Sequence, residues 1–386
     1  MSRAGFVGSR VRRAAGIAGA AAGVVTAGAA VGLAAERFLV GRPLRRAGEL
    51  VDAEQPLGRL RGEPVKVLAP DDVELYAEVD DRPDAELTVV FSHGYTLNQD
   101  CWHFQREALR EHARLVFWDQ RSHGRSGRGS RASATVEQTG HDLLAVLEAT
   151  APTGPVVLVG HSMGGMTVLA AAQAKPELFG DRVVGVALIG ASAGDWSTVT
   201  LGLPGYGART LHWLAPGLLG ALGRWPTLVE RGRRAGSDLS NLMTRWYAFG
   251  SDVPTEVVRF AAQMIERTPI DVVADFYPSL NRHEQHAALS VVGRVEGLVL
   301  VGARDLIAPV AHSEAIAAAM PAATLVVLPD AGHLVILERP EIVNQHLRAL
   351  LERVGRAHVS PVADAPDHGR QKTKPARRGR RQEGPA

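Results

Sequence analysis

From Gly62 to Val354, short and wholly apolar runs alternate with helical patterns. This rhythm specifies a mostly parallel sheet flanked by helices, since parallel strands need a crossover and the crossover helices cover both faces of the sheet. Residues 65–68, 75–79, 88–92, 115–118, 156–159, 183–189, 297–301 and 324–328 read as strands. Helical patterns cover 139–149, 163–174, 311–320 and 341–353, the first with Leu143, Leu144 and Leu147 on one face. An insertion runs from about Asp195 to Leu289. It is too long for a plain connection and too aromatic for a linker, so it is expected to form a small helical cap.

The chain is 46% hydrophobic and 22% charged, which allows a large core and excludes disorder through most of its length. Its net charge of +2 conceals an asymmetry. Residues 1–61 carry ten Arg against four acids, residues 355–386 carry eight Lys or Arg against three acids, and the body between them is −9. Positive charge confined to the two ends argues against a nucleic-acid groove. The Pro- and Arg-rich stretch from Ala365 reads as a disordered, solvated tail. A single cysteine, Cys101, excludes an intrachain disulfide framework and any multi-thiolate metal site.

Residues 14–35 hold no charge, with Arg10, Arg12 and Arg13 before them and Glu36, Arg37 and Arg42 after. The run is long enough to span a bilayer, although eleven of its residues are Ala and five are Gly, so little transfer free energy favours insertion. A membrane anchor is the preferred reading, ahead of a cleaved signal peptide. Four Arg on each side give the positive-inside rule no orientation to choose, so the side of the membrane stays open.

The pentad Gly-x-Ser-x-Gly occurs twice, around Ser162 and around Ser192. A serine nucleophile at a strand-to-helix elbow occupies a strained backbone position, and a β-carbon two residues away on either side would collide across the turn. Ser162 follows the strand PVVLVG and precedes the helical run GGMTVLAAAQA, which is the required context. Ser192 also follows a strand, but the glycine-rich, β-branched DWSTVTLGLPGYG comes next, so it reads as a turn at the entrance to the cap.

Serine needs a histidine base, and the base needs a carboxylate to orient it. His333 lies in the loop after the last strand, and Asp305 leaves the preceding strand in the same way. Loops at the carboxyl ends of strands are where open α/β sheets gather their chemistry. Asp330 lies close to His333 along one loop, where reaching the far ring nitrogen is difficult, and Asp195 follows another strand end; both are weaker candidates for the acid. The tetrahedral oxyanion needs two backbone donors, for which the amides of Tyr95 and Met163 are placed by VVFSHGYT and by the helix start. His93 and His161 read as structural rings, and Asp119, Gly124 and Ser126 as a turn held by side-chain hydrogen bonds.

HGYT, DQRSHGRS, GHSMGG, GARD and GHLVILERP stand in that order across roughly residues 65–354, and together they resemble the α/β-hydrolase superfamily, in its serine-nucleophile, esterase- or lipase-like branch. The resemblance implies the α/β-hydrolase fold with a helical cap inserted after the sixth strand. With the cap read from the insertion, the chain divides into a core of residues 62–194 and 290–354, a cap of 195–289 and, outside the resemblance, an Ala/Gly-rich amino-terminal segment of 1–61 and a basic tail of 355–386. Described relatives include carboxylesterases, monoacylglycerol lipases, thioesterases, carbon–carbon bond hydrolases and cofactor-free haloperoxidases. Ser162 departs from the branches that carry aspartate at the elbow, the haloalkane dehalogenases and epoxide hydrolases.

Trp196, Trp213, Trp225 and Trp246 fall in the cap with Tyr247, Phe249, Phe260, Phe276 and Tyr277, and residues 211–225 are rich in Leu and Trp. Most of this set is expected to pack the cap itself, and the remainder to line an apolar space above Ser162. The expected activity is hydrolysis of small apolar carboxylic esters, acyl esters of lipid origin among them, through an acyl-enzyme, with no metal or organic cofactor. Perhydrolase or haloperoxidase-like activity and carbon–carbon bond hydrolysis are the enzymatic alternatives. A ligand-binding protein on the same fold is the non-enzymatic one.

Overall fold

The computed structural model describes residues 56–196 and 237–359, with positions 199, 217, 222 and 224 between them. The run 14–35, Trp213, Trp225 and the tail from Ala365 lie outside the described residues. Among the described residues, no helix is long and apolar enough to cross a membrane.

The strands are β1 (Glu63–Leu68), β2 (Glu74–Asp80), β3 (Thr88–Ser92), β4 (Arg114–Trp118), β5 (Val156–His161), β6 (Val183–Ile189), β7 (Glu296–Gly302) and β8 (Ala323–Leu328). They form one sheet in the order β1-β2-β4-β3-β5-β6-β7-β8. β1 and β2 pair antiparallel, as do β2 and β4, and every later pairing is parallel. Apolar content does not encode strand direction; the short turn between β1 and β2 does, because it leaves no room for a crossover.

The helices are α1 (His103–Leu109), α2 (Val136–Thr150), α3 (Met163–Ala174), α4 (Ser237–Ala248), α5 (Thr255–Arg267), α6 (Ile270–Asn281), α7 (His286–Val292), α8 (Val310–Ala318), α9 (Val335–Glu338) and α10 (Pro340–Val359). α2 begins three residues before the expected point, where Thr135 caps it by accepting from the Gln138 amide at 3.1 Å. α10 continues to Val359, past Arg353, where the helical pattern in the sequence ends. No pattern in the sequence announces α1. Five of its seven residues are buried, His103, Gln105 and Arg106 among them, so it presents no apolar stripe to recognise.

Period-two alternation divides the strand side chains between two core layers. Val89, Phe91, Leu115, Phe117, Val157 and Val159 join Leu109 of α1 and Leu347 and Leu350 of α10 on one face. Val90, Val116, Leu158, Val186 and Leu188 meet Leu143 and Val146 of α2 and Val168 and Leu169 of α3 on the other. Phe91 stacks on Phe117 at 4.6 Å with both rings fully buried, and truncating either would cost about 3–5 kcal/mol. These layers extend beneath the carboxyl ends of β5, β7 and β8.

Of the described residues between the two halves of the sheet, α4 to α6 stand over those strand ends. α7 straddles the point at which the insertion is expected to close, since Ala288, Leu289, Val291 and Val292 belong to the second core layer. Phe249 and Phe276 are buried as expected of cap residues, whereas Trp246 is 63% exposed and packs into no core.

Candidate active site

Ser162 sits between β5 and α3 with φ 53° and ψ −119°, a positive-φ conformation that a side chain rarely adopts. Its amide donates to the Ile189 carbonyl at 2.9 Å, and its own carbonyl accepts from Gly165 and Met166 to open α3. The strained turn fits only because its neighbours lack side chains. A β-carbon on Gly160 would lie 2.4 Å from the Gly164 carbonyl oxygen, and one on Gly164 would lie 2.0 Å from that of Ser92. Ser192 is different: its buried hydroxyl donates to the Gly194 carbonyl at 2.5 Å and accepts from the Gly194 amide at 3.1 Å. That is a closed turn.

Ser162, His333 and Asp305 are brought together from three strand ends. His333 Nε2 lies 2.9 Å from Ser162 Oγ, and His333 Nδ1 lies 2.8 Å from Asp305 Oδ2. A carboxylate oxygen only accepts, so Nδ1 carries the proton and Nε2 is left to accept from the serine hydroxyl. The other oxygen of Asp305 is held by the amides of Ile307 and Ala308, each at 2.8 Å, which fixes the carboxylate in place. Asp330 is turned away, pairing with Arg304 at 2.7 Å, and Asp195 lies on the surface 3.4 Å from His286. Neither reaches His333.

Gly94 brings the loop after β3 against the elbow, where an added β-carbon would stand 3.2 Å from Ser162 Cβ and 2.8 Å from His161 Nδ1. Tyr95 follows Gly94, and Met163 is the first residue of α3, so these two amides flank the serine. Neither has a backbone acceptor among the described residues. The loop is tied from above: the Tyr95 hydroxyl donates to the Val273 carbonyl of α6, and Thr268 Oγ1 donates to the Thr96 carbonyl at 3.0 Å.

Two further histidines support this loop. Burial, reinforced by His123, pushes His93 down to about 3, so its ring is neutral; Nδ1 donates to the Gly94 carbonyl at 2.8 Å and Nε2 accepts from the Gln120 amide at 2.9 Å. Burial and the neighbouring His333 likewise lower His161 to about 3. Asp119 is raised to about 6 by burial while its carboxylate accepts from the Gln99 and Arg125 amides, and Gly124 at φ 53° leaves room for it. These contacts make the segment a structural turn.

Above Ser162 lies a cavity of about 120 Å³ lined by Leu97, Met163, Trp196, Ile265, Leu280 and Leu334. Such a lining suits an apolar group. Asp195, Glu284 and His286 bring ligand-type atoms within 4.8 Å of one another, but all three are exposed and the His286 ring pairs with both acids.

A sequence model of the alpha/beta hydrolase fold matches residues 88–340. The chain belongs to the α/β-hydrolase family. This hydrolase is 30% identical over 267 residues to the dihydrolipoyllysine-residue acetyltransferase component of the acetoin cleaving system of Pseudomonas putida, a match that covers 69% of the chain and 63% of that component's length. It is 24% identical to the uncharacterized hydrolase YugF of Bacillus subtilis, over 74% of the chain and 96% of YugF. Among solved structures it resembles a thermophilic esterase from Thermogutta terrifontis, at 28% identity and a TM-score of 0.59, with 76% of this chain and 99% of the esterase covered.

One further group in this α/β-hydrolase has no role that the sequence pattern assigns. Glu338 closes the apolar run after His333, and its carboxylate is buried among backbone amides. The signal was a lone acid ending an otherwise apolar helical turn.

Proposed function

We propose that this α/β-hydrolase cleaves small apolar carboxylic esters through an acyl-enzyme formed on Ser162. The observation that carries the reading is the unbroken series of hydrogen bonds from Ser162 through His333 to Asp305 beneath an apolar cavity. Ser162 Oγ adds to the ester carbonyl as its proton passes to His333 Nε2, and Asp305 stabilises the resulting imidazolium through Nδ1–H. The amides of Tyr95 and Met163 receive the oxyanion. When the tetrahedral species collapses, the imidazolium protonates the departing alcohol. Water then enters, loses a proton to His333, and releases the acid by the same steps in reverse.

The likeness to an esterase at 28% identity supports an ester over other acyl compounds. The uncharged run 14–35, flanked by Arg, supports association with a membrane and an ester of lipid origin. The test pairs fluorophosphonate labelling with turnover of a series of nitrophenyl esters. Wild-type protein is expected to label once and hydrolyse the series, and Ser162→Ala to do neither. Folded wild-type protein that resists labelling, or that acts only with peroxide in place of water, overturns the proposal.

A further inference from the structure

Glu338 ends α9, and every partner of its buried carboxylate is a donor. Oε1 accepts from the Gly250 amide at 3.0 Å and from both the amide and the hydroxyl of Ser251 at 2.6 Å. Oε2 accepts from the Gly332 amide at 2.7 Å and shares the Gly250 amide at 3.1 Å. Two segments distant in sequence therefore meet on one carboxylate: the loop that carries His333, and the residues that follow α4.

The meeting is close. A β-carbon on Gly332 would stand 2.6 Å from the Gly250 nitrogen, and one on Gly250 would stand 2.6 Å from the Ala331 carbonyl carbon. On the other side of His333, the Leu334 amide donates to the Ala248 carbonyl at 2.8 Å. The residues before and after the imidazole are thus both fastened to the stretch 248–251. Buried amides that face one another need a shared acceptor, and a carboxylate supplies two oxygens where an amide side chain supplies one.

We propose that Glu338 is a positioning residue that holds His333 at bonding distance from Ser162 by locking its loop to the end of α4, an inference that rests on Ser162 being the nucleophile. Glu338→Gln keeps the shape but turns an NH2 group toward N–H donors, so the loop must shift. Loss of near-attack geometry by about 1 Å costs on the order of 100-fold in rate.

The experiment uses the full chain, with active sites counted by fluorophosphonate titration and nitrophenyl butyrate turnover expressed per titrated site. Glu338→Gln is expected to lower kcat per site by roughly 10- to 100-fold with KM nearly unchanged. Ser251→Ala, which keeps the carboxylate and the three backbone donors, is expected to fold and to show a smaller loss in the same direction. Asp142→Asn, which breaks a buried ion pair with Arg121, is expected to lower Tm and leave kcat per site at the wild-type value. Wild-type kcat per site in both Glu338→Gln and Ser251→Ala, or a loss confined to KM, overturns the role of Glu338; if Glu338→Gln does not fold, Ser251→Ala alone decides. Wild-type protein that cannot be titrated removes the nucleophile reading and this role with it.

Discussion

His161 Nε2 lies 2.9 Å from the carbonyl oxygen of His333, so the residue preceding the elbow serine donates to the main chain of the imidazole that faces that serine. The two rings stand 4.9 Å apart. A carbonyl only accepts, hence Nε2 holds the proton, and burial keeps the His161 ring neutral down to about pH 3. His333 is in this way gripped at both ends, by its side chain and by its backbone.

His161→Leu would leave the His333 carbonyl buried without its donor, at a cost of about 1–3 kcal/mol. Lower Tm and lower kcat are expected together, and His161→Gln, which restores an N–H donor, is expected to recover part of both. The acid limb of the kcat/KM profile should keep its midpoint in His161→Gln, since a ring that is neutral down to about pH 3 does not titrate under assay conditions. A displaced midpoint would show that His161 ionises during turnover.

Asp305→Asn tests the other end of the relay. The wild-type carboxylate accepts from His333 Nδ1 at 2.8 Å and is itself fixed by the Ile307 and Ala308 amides. An amide in its place can present NH2 to the ring, favouring the tautomer with its proton on Nε2, which cannot take a proton from serine. A fall in kcat of roughly 10⁴-fold is expected, with nearly native Tm. Activity within about tenfold of wild type would mean that another group orients the imidazole.

Tyr95→Phe separates main-chain from side-chain roles in the loop after β3. Burial raises the phenol well above its ordinary range, so it remains a donor to the Val273 carbonyl. The variant keeps the Tyr95 amide and loses only this tie to α6, worth about 1 kcal/mol. If the tie aligns the amide for the oxyanion, kcat falls by several-fold while KM changes little; a change in KM alone would assign Tyr95 to substrate binding.

How much of this was legible depended on whether a residue's task is local. α3 falls at the expected residues because an apolar strand, a glycine-flanked turn and an alanine-rich helix are written consecutively. Ser162, Asp305 and His333, which the structure brings within hydrogen-bond distance, each follow a strand end written as an apolar run. α1 was hidden because its polar residues are as buried as its apolar ones. The Thr135 cap is written in the spacing Thr135 to Gln138, upstream of the leucine stripe that marks the helix. Glu338 and Tyr95 could not be assigned their contacts at all, because Gly250 is 88 residues from the one and Val273 is 178 residues from the other.

Acid should unfold this protein over a window set by its buried histidines. His93 and His161 are lowered to about 3, and His103, His123 and His283 to about 4, in each case chiefly by burial. In the unfolded chain these rings titrate near their ordinary value of 6.5. Between that value and the folded ones the unfolded chain binds more protons, so stability rises with pH and is lost as pH falls. Two aspartates act in the opposite sense. Asp119 is raised from 3.8 to about 6 and Asp142 is also raised, both chiefly by burial, so each holds its proton more tightly folded than unfolded, and its contribution falls with rising pH. Five histidines against two aspartates leave a net uptake of protons on unfolding at about pH 5. Denaturant midpoints measured from about pH 7 down to pH 4 are therefore expected to fall continuously, and replacing His93 by Gln, which keeps a donor toward the Gly94 carbonyl, to flatten the slope by close to one proton. A midpoint that is level across this interval would mean that the rings are not neutral in the folded protein.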